Sequence, residues 1–126
     1  MQILDAEFKE IRGNAAALLL CNGVTPDTDG FHYLLGAVLL WHESNGELPP
    51  LITKEIYPAL GKRYARSWGA VERAVRVAVQ KATATDERLK RCIACFGCAP
   101  DDGRTYSNGQ FIALLTMYAE SLLKAA

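Results

Sequence analysis

The stretch from Leu51 to Ala82, LITKEIYPALGKRYARSWGAVERAVRVAVQKA, constrains the fold more than any other part of the chain. It reads as two helices joined by only Ala65 and Arg66, with Ser67 placed to cap the second. A connection that short suits helices that cross at an angle, so the spacing predicts a helix-turn-helix over about residues 51–82. The usual turn glycine is missing from the connection. The second helix has two unlike faces. At about 100° per residue, Val71, Ala74, Val75, Ala78 and Ala82 fall on one apolar stripe. Arg73, Arg76 and Gln80 fall opposite, flanked by Gly69, Ala70, Glu72 and Val77. One side packs; the other offers charge and hydrogen bonds, either to water or to the edges of bases.

The 126 residues carry 14 basic and 14 acidic side chains, and that balance counts against a nucleic-acid partner until its distribution is considered. Residues 1–61 hold three basic side chains against eight acidic, a net charge of −5. Residues 62–91 hold nine against three, a net +6, and residues 92–126 carry −1. Exposed charges act over about 8 Å in physiological salt. The positive segment containing the turn and the second helix therefore sets its own local field.

The remaining pattern predicts a single all-α domain of about six helices spanning residues 1–126. Leu4, Phe8, Ile11, Ala15, Leu18 and Leu19 recur at helical spacing in a first helix ending near Cys21, with Gly23 as its terminator. VTPDTDG, residues 24–30, is a loop. The next helix, about Phe31 to Glu43, is apolar almost all round and so belongs at the centre. Ser44 to Pro50 is a second loop, with Pro49-Pro50 forcing an extended approach. The third helix, Leu51 to about Tyr64, aligns Ile52, Ile56 and Leu60, and Pro58 should kink it or loosen one turn. The fourth follows Ser67. A fifth, Asp86 to Phe96, lies between the cap Thr85 and the stop Gly97. Ser107 and Gln110 form a capping box opening a sixth, which carries Phe111, Leu114, Leu115, Tyr118 and Leu122 on one face. No strand alternation and no repeat is present.

With half the residues apolar, the chain can build a core, yet no apolar run approaches the roughly 20 residues that span a bilayer. The acidic first ten residues do not make a signal peptide. A soluble cytoplasmic protein is expected, without membrane contact.

No catalytic constellation assembles, so the chain is read as a non-enzyme without cofactor or metal. His32 and His42 are ten residues apart, and His42-Glu43 lacks the second histidine of a zinc-protease helix. Asp101-Asp102 sits in a loop expected to be solvated. Cys92, Cys95 and Cys98 are spaced like part of an iron–sulfur run, but no fourth cysteine follows and a helical pattern passes through the first two. They are read as small hydrophobes, with a metal or redox role as the alternative. The helix-turn-helix has a concrete mechanism instead. Its second helix enters the major groove, where arginine forks onto guanine and glutamate accepts from cytosine. Thr53, Lys54, Lys62, Arg63, Arg66 and Ser67 are then placed for phosphates.

The run ITKEIYP at 52–58, KRY at 62–64 and VERAVR at 71–76 resemble the C-terminal DNA-binding domain of the sporulation initiation response regulators, the stage 0 sporulation protein A family. Gly30 to Leu34, Phe96-Gly97 and SNGQFIA at 107–113 extend the resemblance in collinear order over about residues 15–125. It implies a six-helix domain that binds promoter DNA in tandem, with RNA polymerase as a further partner. It also implies self-association through the last helix, at Phe111, Leu115, Tyr118 and Leu122. Matched residue by residue, it implies base contacts at Glu72, Arg73 and Arg76, with Thr53 and Lys54 at or near the DNA. The chain departs from the family at Ala70, where arginine is common, at Val77 in place of histidine, and at Arg66-Ser67 in place of Thr-Thr. A different target site is therefore expected. No receiver domain precedes the first helix within these residues. The alternative reading is a protein-interaction module that has kept the bundle and lost specific DNA reading.

Overall fold

A computed structural model describes residues 3–44 and 52–123. Six α-helices follow in order: α1 (Ile3–Cys21), α2 (Asp29–Glu43), α3 (Tyr57–Tyr64), α4 (Trp68–Ala82), α5 (Asp86–Phe96) and α6 (Asn108–Ser121). One π-helical turn, Ile52–Ile56, leads directly into α3. No strand occurs among the described residues. The Pro49-Pro50 approach and Leu51 lie outside them, as do the side chains of Leu4 and Thr53.

The all-round apolar character of α2 is explained by its neighbours: it packs against α1, α4 and α6. Phe31, Tyr33, Leu34, Leu35, Ala37 and Val38 are all buried. Ile11 and Leu19 of α1, Val71 and Val75 of α4, and Phe111 and Leu115 of α6 complete the core. Gly30 permits a close approach of α2 and α4, since a Cβ there would lie 2.6 Å from the Ala74 carbonyl oxygen. α4 is thereby held by its apolar stripe against the start of α2.

Local chemistry explains the helix ends. Ser67, Thr85 and Ser107 each accept from the amide three residues on, at Ala70, Arg88 and Gln110. The expected capping box of α6 is only half formed, because the Gln110 side chain turns to Cys98 Sγ at 3.9 Å. Pro58 does loosen a turn. It occupies the first turn of α3, and the preceding turn widens to π geometry.

Cys92 is a core residue whose thiol donates to Asn22 Oδ1 at 3.2 Å, and burial pushes its pKa up to about 11. Asp102 is occupied locally: one carboxylate oxygen accepts from the amides of Arg104 and Thr105, which hold it below the usual carboxylate range. His42 bridges three helices, with Nδ1 2.5 Å from Glu120 of α6 and Nε2 2.8 Å from Glu7 of α1.

Candidate nucleic-acid interface

The turn between α3 and α4 is built without a glycine at its left-handed position. Ala65 takes φ 56°, ψ 46° and caps α3, while the amides of Ala65 and Arg66 both donate to the Gly61 carbonyl. The left-handed conformation costs a residue with a Cβ about 1–2 kcal/mol. Glycine is required four residues earlier instead. A Cβ at Gly61 would stand 2.5 Å from the Arg66 carbonyl oxygen, so the bare backbone of α3 is what lets the turn fold over it.

α4 leaves this turn with its two faces as the pattern predicts. Val71, Val75, Ala78 and Ala82 are buried, joined by Val79, whereas Ala74 is half-buried. Arg73, Arg76, Val77 and Gln80 are exposed. Glu72 and Arg76 form an i,i+4 ion pair, which holds both side chains over the same stretch of helix. The Arg73 guanidinium passes over Gly69, 3.6 Å from where a Cβ would stand.

Around the turn, Lys62, Arg63, Arg66 and Ser67 are all exposed, and Lys54 is exposed on the π-helical turn. Arg63 lies 5.7 Å from the centre of the Tyr64 ring. Arg66 is 3.8 Å from Asp29 at the start of α2, a solvated contact of small energetic weight. Ser67 Oγ accepts the cap bond, which leaves its hydroxyl proton to donate. Thr53 belongs to the same π-helical turn as Lys54, but its side chain lies outside the described residues.

Two features of this surface had no place in the sequence reading. Trp68, the first residue of α4, is 52 % exposed beside the basic turn. Its only signal is a large aromatic set just ahead of the apolar stripe. Asn108, the first residue of α6, donates to the Tyr57 hydroxyl and to the Glu72 carbonyl. A groove of about 470 Å³ runs between Glu72, Arg76 and Gln80 on one side and Thr105 to Gly109 on the other. Burial raises the Tyr57 pKa, so its hydroxyl stays protonated.

The face of α6 expected to bind a second copy needs correcting. Phe111 and Leu115 are wholly buried in this chain's own core, because the apolar stripe of α6 packs on α1, α2 and α4. Tyr118 is half-buried, 6.5 Å from the Phe96 ring, and Leu122 is exposed. Met117, at 63 %, is the most exposed large apolar side chain of α6.

An all-α bundle with a tight basic turn, a helix packed on one side and a charged face turned outward is a helix-turn-helix domain of the DNA-binding kind. The family model described as sporulation initiation factor Spo0A C terminal matches residues 16–119. The chain belongs to that family, whose members are DNA-binding domains of sporulation regulators. No helix among the described residues is long and apolar enough to cross a membrane.

Proposed function

We propose that this domain is a non-enzymatic, sequence-specific reader of double-stranded promoter DNA, with α4 in the major groove. The observation that carries the proposal is the face of α4 with Arg73 and Arg76 exposed and Glu72 half-buried beside them, rising directly from the turn of Lys62, Arg63 and Arg66. Arg73, outside any ion pair among the described residues, forks onto the N7 and O6 acceptors of a guanine. Glu72 accepts from a cytosine amino group, and Arg76, already aligned by Glu72, reads the neighbouring position. Thr53, Lys54, Lys62, Arg63, Arg66 and Ser67 hold phosphates and fix register without reading sequence.

Self-association then uses the outward side of α6, at Tyr118, Leu122 and Met117, when copies sit side by side on DNA. RNA polymerase is the further partner expected of a promoter-bound regulator.

Selection of bound sequences from random duplex DNA tests this reading. An enriched motif containing a guanine that loses its preference in Arg73→Ala supports it. Uniform recovery of all sequences would favour a bundle that serves as a protein-interaction module.

A further inference from the structure

Val77 is the most exposed large apolar side chain of α4, at 60 %. Val71, Val75 and Val79 of the same helix are wholly buried, so the exposure of Val77 is not a general property of its valines. It stands one turn beyond Arg73 and only about 40° around the axis, on the face offered to the groove. A β-branched side chain exposed in mid-helix adds neither helix propensity nor burial. On its flank is an apolar notch of about 190 Å³, formed with Val24, Gly30, Ala74 and Ala78 and rimmed by Asp29 and Lys81.

We propose that Val77 is a specificity-determining residue that reads the C5-methyl group of a thymine in the major groove. The inference rests on the groove-reading proposal above and adds a second, apolar element to it. Of the bases, only thymine shows a methyl group in that groove. A valine has no donor or acceptor, so against a G·C pair it would strip water from polar edges and return no hydrogen bond. Four residues of α-helix rise about 6 Å, and successive base pairs are about 3.4 Å apart. The thymine therefore lies one or two base pairs from the guanine read by Arg73.

The test replaces each thymine of the selected duplex in turn with deoxyuridine, which pairs identically and lacks the methyl group. Anisotropy titrations should show one position where the replacement weakens wild-type binding about fourfold, the equivalent of one methyl group at about 0.8 kcal/mol. In Val77→Ala the same replacement should have almost no effect, and selection should no longer enrich thymine there. Because Val77 is exposed and alanine favours helix, the variant should keep its fold, checked by circular dichroism. Uracil tolerated at every position, or a sensitivity that persists in Val77→Ala, would overturn the role of Val77 while leaving the Arg73 reading intact. A selection that enriches no motif at all overturns both.

Discussion

Asn108 donates its side-chain amide to the backbone carbonyl of Glu72 at 3.1 Å and, with its second proton, to the Tyr57 hydroxyl at 3.0 Å. One amide group thus ties the start of α6 to α4 one turn before Arg76 and to the opening of α3. α4 is therefore tied to a residue outside the helix-turn-helix. Asn108→Ala leaves the hydroxyl and the carbonyl without that partner and should destabilise the domain by about 1 kcal/mol. Specific binding should fall by more than non-specific binding. Urea denaturation and anisotropy on matched and scrambled duplexes check the two effects separately.

Two substitutions in the turn should have opposite signs. Ala65→Gly frees a left-handed position of its Cβ and should stabilise the domain by about 1 kcal/mol. Gly61→Ala forces a methyl group into the Arg66 carbonyl and should destabilise it by about 1–3 kcal/mol, opening the turn. Midpoints of chemical denaturation decide the matter; two changes of the same sign would contradict this description of the turn.

His42 makes stability depend on pH. Burial opposes its charged form, but the hydrogen bonds and charges of Glu120 and Glu7 outweigh burial and raise the pKa above the ordinary 6.5. A raised folded-state pKa gives stabilisation that is complete below about pH 6.5 and disappears as pH rises through the folded value. The melting temperature should therefore fall as pH rises above about 6.5, and Glu120→Gln should flatten that fall. An NMR titration of the His42 ring should give a midpoint above 6.5 in the wild type and a lower one in Glu120→Gln.

Trp68 supplies an internal reporter. It is exposed beside the basic turn, whereas Trp41 is half-buried in α2. Iodide should quench Trp68 in the free domain, and duplex DNA should protect it. Trp68→Phe should abolish the DNA-dependent change. Unaltered quenching on saturation with DNA would place the bound duplex away from the start of α4.

Much of this was legible in the sequence where the determinants are local. Thr85 and Gly97 mark both ends of α5, Ser67 marks the start of α4, and a 3.6-residue period separates its two faces. The unread part depends on residues distant in sequence. The partners of His42 lie 35 and 78 residues away, and Asn108 reaches Glu72 across 36. The need for glycine at 61 arises from a carbonyl placed by the turn, so no local rule identifies it. At α6 the expectation that Phe111 and Leu115 meet a second copy came from the family resemblance, and periodicity could not check it. Periodicity showed correctly that Phe111 and Leu115 share an apolar face, but a period reports that a face is covered and not what covers it.

The central claim, that α4 reads sequence while the basic residues around the turn hold phosphates, is tested most directly by one comparison. Anisotropy titrations of wild type, Arg73→Ala and Lys54→Ala on the selected and a scrambled duplex should be run over a range of salt concentrations. Arg73→Ala should narrow the gap between the two duplexes by about 1–3 kcal/mol. Lys54→Ala should weaken both duplexes alike and lower the salt slope by about one. Absence of duplex binding at low salt, or an Arg73→Ala effect equal on both duplexes, would contradict the account.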